Sequence, residues 1–473
     1  MVLRTAEQYI EGLRDDRVVY YRGRRIRDVT TEPELRIAVL HAALDYRLAR
    51  DPQHRDLAVV QDAETGDEYS SYYRLPRGSE DLLNRSRLIE VTTAEGATLV
   101  TLIREIGTDA LFALQRVVSG EALERVQAFH DHCKGRDLSL AVAQTDVKGD
   151  RSLSPSAQPD PDLYLRVAKE TREGIVVRGA KVHTSVSVNS DELIVLPTRA
   201  MGPDDVDFAV SFAVPMATEG LNLYASSYSA GSRDRFEFPL SSKAKMLETL
   251  TVFNDVFVPW ERVFVCRQPE LAGPLALTFV EYHRFTAVSY KLPLVDAFVG
   301  AASEIAEMNG IARAGHIRDK IAHLIAYAET VRALTEMAAY RCRVDERGIA
   351  YPDPMTTNIA KMTFASQYHA SLAALQDCAG GLLVTGPGDE DWDNGDIRQV
   401  LEKYFRAKVP AEPRLKMMHL ISDLTARDFG GYHAVLAVHA EGSIEAEKLQ
   451  ILRSYEDGRT RSYVRRLAGI DTE

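Results

Sequence analysis

The feature that most constrains the fold of this chain of 473 residues is a residue pattern that changes twice. Up to about residue 135, apolar residues recur three and four positions apart, as in DALFALQRVV from Asp109, which predicts amphipathic helices. Between about Leu138 and Cys266, short β-branched runs such as GIVVRGAKVHTSVSV are separated by Gly, Pro, Asp and Asn, which predicts strands joined by turns. The helical period returns from Leu271.

These changes divide the chain into three predicted domains. Residues 1–137 form a mainly helical domain, residues 138–268 a β domain, and residues 269–473 a helical bundle. Helices, then a compact β domain, then a helical bundle is the order of the acyl-CoA dehydrogenase architecture. We therefore expect an α+β fold of this kind, with an antiparallel β-barrel as the middle domain.

Composition excludes several classes of protein. The chain has no apolar run of about 18 residues and no signal peptide in MVLRTAEQYIEGLRDD, so we expect a cytoplasmic protein that does not enter a membrane. A net charge of −12 argues against nucleic acid as a partner. The cysteines are too scattered for a disulfide framework or a zinc site; they are Cys133, Cys266, Cys342 and Cys378. His130 and His132 lack further metal ligands, and we expect both at the surface.

One stretch of the β domain carries the groups that a flavin needs. The ring carbonyls and nitrogens of a flavin pair with amides and hydroxyls, and its pyrophosphate pairs with cations or backbone amides. These groups come from Gln144, from the segment TDVKGDRSLSPSAQPDPDLYLRV that follows it, and from the next strand. The candidate residues are Gln144, Thr145, Lys148, Gly149, Arg151, Ser152, His183, Thr184 and Ser185. The alternative is that residues 148–151 form only a charged hairpin turn. No G-x-G-x-x-G or P-loop motif is present.

Four segments, taken together and in their order along the chain, resemble the 4-hydroxyphenylacetate 3-hydroxylase / 4-hydroxybutyryl-CoA dehydratase flavoprotein family. They are the segment just quoted, the opening RTAEQYIEGLRDDRVVYYRGRRIRDVTTEP, the strand ending PLSSKAKMLETLTVFNDVFVPWERVFV and the turn AGGLLVTGP. The resemblance covers nearly the whole chain. It implies FAD bound between the β domain and the helical bundle, with the bundle also forming a homotetramer.

The resemblance is closer to the dehydratases, which hold an iron–sulfur cluster on three cysteines and a histidine. In this chain the cysteine positions fall on Thr101, Glu105 and Tyr290, and only His283 remains. Iron–sulfur clusters need thiolates, so we expect no cluster and no metal site. The phenol hydroxylases also match incompletely, because their substrate-binding histidine falls on Val142.

Three polar residues match functional positions of the dehydratases, namely Glu248, His283 and Lys291. His283 and Lys291 are eight residues apart on a predicted helix, so they share one face. If that face meets the flavin, His283 is a general base or a substrate hydrogen bond, and Lys291 is a charge partner. The alternative is that His283 lies at a domain seam and Lys291 forms a salt bridge within the bundle.

We therefore expect a two-component monooxygenase that receives FADH2 from a separate reductase and oxygenates a small organic substrate through a flavin hydroperoxide. The resemblance and the missing cluster ligands favour this function. The alternative is a cluster-free flavin-dependent dehydratase, isomerase or desaturase acting on an acyl thioester or an amino-acid-like substrate, which the retained Glu248, His283 and Lys291 favour.

Overall fold

The structure, a computed structural model, describes residues 3–63, 65–228 and 234–470, so the outermost ends of the first and last predicted domains lie outside the described residues. The first region holds short helices, two hairpins and three longer helices. Its elements are α1 (Ala6–Gly12), β1 (Val18–Tyr21), β2 (Arg24–Ile26), α2 (Pro33–Ala42), α3 (Leu44–Leu48), α4 (Arg55–Ala58), β3 (Val59–Gln61), β4 (Glu68–Ser70), α5 (Ser79–Glu95), α6 (Glu105–Val117) and α7 (Glu121–Arg136).

The middle region is built from strands that form two sheets. The strands are β5 (Leu140–Ala143), β6 (Arg166–Glu170), β7 (Gly174–Ser185), β8 (Glu192–Val195), β9 (Val210–Pro215), β10 (Leu221–Ala225), β11 (Glu248–Pro259) and β12 (Val263–Cys266). One sheet has the order β2-β1-β10-β11-β7-β6 and the other the order β12-β9-β8-β5. The long antiparallel pair β11 and β7 lies between β10 and β6 in the first sheet, with Thr249 opposite Thr184.

Two features of the sheets differ from the sequence-based expectation. β1 pairs in parallel with β10, with Val19 opposite Leu223, so the β1–β2 hairpin of the first region extends the middle sheet. No closed sheet is found in the described part of the chain, so a β-barrel is not confirmed. The reason is physical: alternation of apolar residues predicts which face of a strand is buried, but it does not predict which edges meet.

The last region is helical. Its elements are α8 (Pro269–Met308), α9 (Gly315–Tyr340), β13 (Arg343–Val344), β14 (Ala350–Tyr351), α10 (Pro354–Ala379), α11 (Leu382–Thr385), α12 (Asp389–Asp393), α13 (Gly395–Tyr404), α14 (Ala411–Thr425), α15 (Asp428–His439), α16 (Ile444–Ser454) and α17 (Gly458–Leu467). The start of α10 is set by its sequence, because Asp353 accepts a hydrogen bond from the amide of Thr356 and Pro354 fits the first turn.

α8 is the central helix of the molecule. It packs against α5 and α6 of the first region and against α9 and α10 of the bundle. Every residue from Arg284 to Val295 is buried, including the charged side chains of Arg284 and Lys291. Charged groups are rarely buried without partners, so this segment points to an internal polar site. No helix in the described ranges is both long and apolar enough to cross a membrane.

α6 lies directly on β5 because of a glycine. A Cβ atom added at Gly107 would lie 2.1 Å from the Cβ of Leu140. The backbone amide of Leu140 also donates to the carbonyl of Ile103, at 2.6 Å. This close approach holds the polar side chains of α6 against the start of the β domain.

We predict that Gly107→Ala lowers the free energy of unfolding by about 1–3 kcal/mol, because the added methyl group overpacks this contact. Gly300→Ala is the matched control, since Gly300 also lies in a helix but has nothing within 4 Å of its ideal Cβ. The control is expected to be neutral or to raise stability by about 0.5–1 kcal/mol, because alanine is the better helix former. Thermal melting of both variants tests this, and equal melting temperatures would contradict the close contact.

Candidate active site

The two arms of the predicted flavin-binding set lie side by side. The backbone amide of Val182 on β7 donates to the carbonyl of Thr145, at 2.8 Å. The ammonium group of Lys181 donates to the carbonyl of Gln144 at 2.9 Å and pairs with the Asp146 carboxylate at 2.8 Å. Both charged side chains are buried. The segment after β5 is therefore fixed against β7 by an internal ion pair.

β7 ends in three candidate residues with different surroundings. The Thr184 hydroxyl is buried and has no hydrogen-bond partner among the described residues. The Ser185 hydroxyl instead donates to Glu248, at 2.8 Å from one carboxylate oxygen. His183 is exposed and has a φ of 56°. Buried hydroxyls are rarely left unpaired, so Thr184 fits the polar edge of a bound cofactor.

The predicted charged loop is largely open to solvent. Gly149, Arg151 and Ser152 are exposed, and the Ser152 hydroxyl donates to Asp150 at 2.7 Å. Lys148 is half-buried, and burial together with the nearby Arg151 lowers the pKa of its ammonium group. Gly149 has a φ of 46°, and a Cβ there would lie 2.4 Å from the side-chain oxygen of Gln158. This turn therefore requires glycine.

Glu248 lies where the β domain meets the helical bundle. Its carboxylate accepts hydrogen bonds from Ser185 on β7 and from the Tyr432 hydroxyl on α15, the latter at 2.9 Å. Burial raises the pKa of Glu248 to about 7, although both hydrogen bonds favour the ionised form. A carboxyl group in this state can take up or release a proton near neutral pH.

Lys291 belongs to a cluster of buried charges around Glu441. The Lys291 ammonium group lies 2.8 Å from the Glu441 carboxylate, and the Tyr290 hydroxyl donates to the same carboxylate. Lys361 of α10 lies 3.7 Å from Glu441 and 3.3 Å from Glu447. Burial alone raises the pKa of Glu441, but Lys291 and Lys361 outweigh it and lower that pKa to about 2.

Tyr290 is close to both Glu441 and Glu248. Burial raises the pKa of its hydroxyl, and the charge of Glu441, the Tyr432 hydroxyl and the charge of Glu248 add to this effect. Tyr432 and Glu441 come from α15 and the turn after it, and the sequence analysis singled out neither. Only Glu441 carries a local signal, since it precedes a glycine at the end of a helical pattern.

His283 is held by a carboxylate of the first region. Its Nδ1 lies 3.4 Å from one oxygen of the buried Asp109, and its ring stacks on Phe279. The other oxygen of Asp109 accepts from Arg85 at 2.8 Å and from Thr286 at 3.0 Å. His283 also lies near enough to Glu441 to act on the pKa of that carboxyl group. The structure thus brings Glu248, His283 and Lys291 to one region, and Lys291 also forms the salt bridge of the alternative interpretation.

Comparison with known proteins decides the family. Residues 5–265 match the family described as 4-hydroxyphenylacetate 3-hydroxylase N terminal, and residues 272–469 match 4-hydroxyphenylacetate 3-hydroxylase C terminal. The chain belongs to the 4-hydroxyphenylacetate 3-hydroxylase family. The identification made from the sequence is therefore confirmed.

Curated relatives in this family include both kinds of enzyme. The chain is 30% identical over 499 residues to 4-hydroxybutyryl-CoA dehydratase/vinylacetyl-CoA-Delta-isomerase of Clostridium aminobutyricum, covering 99% of this chain and 100% of that protein. It is 29% identical over 433 residues to the oxygenase component of 4-hydroxyphenylacetate 3-monooxygenase of Thermus thermophilus, covering 90% and 89%.

Solved structures agree with the family and the architecture. The oxygenase component of 4-hydroxyphenylacetate 3-monooxygenase, solved in complex with FAD, has a TM-score of 0.90 at 26% identity and covers 98% of each chain. Butyryl-CoA dehydrogenase from Megasphaera elsdenii has a TM-score of 0.53 at 13% identity, covering 96% of this chain and 99% of that chain. The acyl-CoA dehydrogenase-like fold expected from the order of elements is therefore confirmed, apart from the barrel.

The positions that the dehydratase resemblance assigns to cluster cysteines hold oxygen groups with partners of their own. The Thr101 hydroxyl lies 3.0 Å from Asp45 and 3.1 Å from Glu105, and all three residues are buried. Burial, together with the charge of Glu105, raises the pKa of Asp45 well above its usual range.

The expectation that His130 lies at the surface was wrong. His130 is buried, with its ring nitrogens bonded to Gln115 and to the Tyr73 carbonyl.

We predict that Glu248→Gln changes the pH dependence of stability. The pKa of Glu248 is about 7 in the folded protein and about 4.5 when solvated, so its contribution to stability is complete below pH 4.5 and is lost as pH rises towards 7. Glutamine cannot ionise, so the variant should gain stability relative to the wild type by about 1–3 kcal/mol across that window.

Melting temperatures measured across the same pH range test the prediction. Glu445→Gln is the control, because Glu445 is exposed and pairs only with the exposed Lys448. Its difference from the wild type should stay nearly constant with pH. A constant difference for Glu248→Gln as well would mean that Glu248 does not titrate near neutral pH.

Proposed function

We propose that the protein is a flavin-dependent enzyme that acts as the oxygenase component of a two-component monooxygenase. It uses FAD that a separate reductase has reduced, and it oxygenates a small organic substrate. The observation that carries this proposal is the set of oxygen groups at Thr101, Glu105 and Tyr290, because chemistry that needs an iron–sulfur cluster lacks its thiolates there. The relative from Thermus thermophilus, an oxygenase component, supports it.

The residues present fit FAD. The unpaired Thr184 hydroxyl and the fixed segment of Gln144 and Thr145 suit the polar edge of the flavin ring. Lys148 and Arg151 in the neighbouring loop suit the pyrophosphate. When bound, reduced flavin supplies the two electrons that activate dioxygen, so that one oxygen atom reaches the substrate and the other leaves as water.

The buried cluster gives the site its acid and base groups. His283, oriented by Asp109, accepts or donates a hydrogen bond to the substrate. Lys291 and Glu441 form an ion pair with a fixed orientation. Glu248 exchanges a proton near neutral pH. Tyr290, which is buried, and Tyr432, which is half-buried, lie against these carboxylates and would form a wall of the proposed site. Such a wall keeps water away from the reacting atoms, which an oxygenase needs in order to avoid side reactions.

A second candidate is a redox-neutral or desaturating flavin enzyme acting on an acyl thioester. The specific observation that favours it is Glu248, because a carboxyl group with a pKa near 7 suits removal of a proton next to a carbonyl. The likeness to the dehydratase from Clostridium aminobutyricum supports this candidate too. The dehydratase itself is expected to use its cluster, so the candidate here is a cluster-free reaction.

The two candidates differ in how reduced flavin on the protein reacts with oxygen. For the oxygenase, we predict that rapid mixing of the anaerobic complex of protein and reduced FAD with oxygenated buffer gives a long-lived absorbance intermediate before oxidised flavin appears. His283→Ala should shorten that lifetime, because the wall loses a hydrogen-bonding group. Gly300→Ala, at an exposed position with nothing within 4 Å of its ideal Cβ, should leave it unchanged.

Direct conversion to oxidised flavin with one equivalent of peroxide, under saturated binding, would contradict the oxygenase. Turnover of a thioester without any added reductant would then establish the second candidate. An unchanged lifetime in His283→Ala would leave the oxygenase standing and remove the proposed role of His283.

The homotetramer expected from the resemblance remains a prediction, and the C-terminal helices supply a surface for it. α16 and α17 expose large apolar side chains, among them Leu449, Leu452, Tyr463, Val464 and Leu467, each more than half exposed. We predict that light scattering gives four copies for the wild type and fewer for Leu452→Glu with Leu467→Glu. A monomeric wild type would contradict the prediction.

A further inference from the structure

A small cavity lies between the α5–α6 loop and α15, next to the charged cluster. Its free volume of about 10 Å³ is room for one water molecule. Leu294, Phe364 and Leu436 give it apolar walls, and Lys291, Thr98 and His433 give it polar ones. No residue predicted from the sequence other than Lys291 and Tyr290 lines it.

Two polar atoms at this cavity lack partners. The Thr98 Oγ1 and the His433 Nε2 are buried and make no hydrogen bond to any described residue. His433 is 6% exposed, and burial, reinforced by the charge of Lys291, lowers its pKa to about 4. The imidazole is therefore neutral near pH 7. Leaving two buried polar atoms unpaired beside one cavity is unfavourable, unless an occupant bonds to both.

The backbone holds Thr98 at the cavity in an uncommon conformation. Ala97 and Thr98 have φ values of 58° and 67°. This is the left-handed region, which a β-branched residue such as Thr98 rarely adopts. The amide of Thr98 donates to the Thr93 carbonyl, and the ring of His41 bonds to the Leu99 carbonyl at 3.0 Å. The loop is thus pinned on both sides of Thr98. A strained position that is retained in this way often serves a site.

We propose that the cavity binds one water molecule, which bridges Thr98 Oγ1 and His433 Nε2 beside the Lys291–Glu441 pair. A water molecule offers both donors and acceptors, so it satisfies a hydroxyl and a neutral imidazole at once. An apolar gas of similar size satisfies neither. The volume excludes a larger ligand.

The water has a structural consequence for the active site. It links the loop of the first region to α15, and α15 also carries Tyr432, the neighbour of His433 in sequence. Because Tyr432 donates to Glu248, the bridge is a positioning element for the acid/base group. This role holds for either flavin reaction, so it does not depend on which proposed function is correct.

A high-resolution crystal structure of the full chain tests the site directly. We expect a single density peak about 2.6–3.2 Å from both atoms, and its loss in Thr98→Val with His433→Phe. An empty cavity in the wild type would overturn the proposal.

Melting temperatures give a second test with a defined sign. With the water present, Thr98→Val and His433→Phe each lower the melting temperature, and the double variant falls by less than the sum because both changes act on one bridge. Thr98→Val with Tyr340→Phe is the control pair and should be additive, since Tyr340 is exposed on α9. If the two atoms are truly unpaired, Thr98→Val should raise the melting temperature instead.

The positioning role has its own readout. Thr98→Val should shift the pH window over which Glu248→Gln changes stability, while leaving its direction the same. If Thr98→Val loses the water but leaves this pH window unchanged, the water does not position Glu248. The proposal of the water site itself would still stand.

Discussion

The carboxylate of Glu441 ties the active-site region together. It joins Lys291 and Tyr290 on α8 to Lys361 on α10, and the Glu441 carbonyl also accepts from Arg284 at 2.9 Å. Buried charges gain little unless every partner is in place, and breaking such a cluster leaves an uncompensated charge that costs about 3–5 kcal/mol. The turn after α15 is therefore fixed by α8 and α10. Since α15 carries Tyr432, the same ion pairs determine where the bundle meets Glu248.

Two acidic groups in this region are held in opposite states. Glu441, surrounded by two ammonium groups, has its pKa lowered to about 2 and stays ionised. Among the described residues, the partners of Glu248 are the hydroxyls of Ser185 and Tyr432, and burial raises its pKa to about 7. Environments that push two pKa values apart in this way separate a fixed charge from a proton carrier. The fixed negative charge thus lies on the bundle side of the candidate site, and the carboxyl group with a pKa near 7 lies on the β-domain side.

The sequence predicted what local patterns determine, and missed what tertiary contacts determine. The helical period placed His283 and Lys291 on one helix, and β-branched runs with turn residues placed Thr184 and Ser185 on a strand. Tyr432 and Glu441 lie about 150 residues further along the chain, and no local pattern links them to α8. The β1–β2 hairpin joined a distant sheet edge for the same reason. His130 was misjudged because helical spacing does not reveal that Gln115 and a backbone carbonyl satisfy a buried ring.

The positions that the resemblance assigns to cluster cysteines belong to networks of oxygen groups. Glu105 accepts from the Arg104 amide at 3.0 Å as well as from Thr101, while Tyr290 belongs to the Glu441 cluster. A cysteine at one of these positions would lose these bonds and leave a buried carboxyl group, hydroxyl or backbone amide with one partner fewer. Three thiolates placed together would have to displace both networks at once. The region is therefore held together by bonds between oxygen and nitrogen groups, and under the proposed function these groups would transfer protons and place charge beside the flavin.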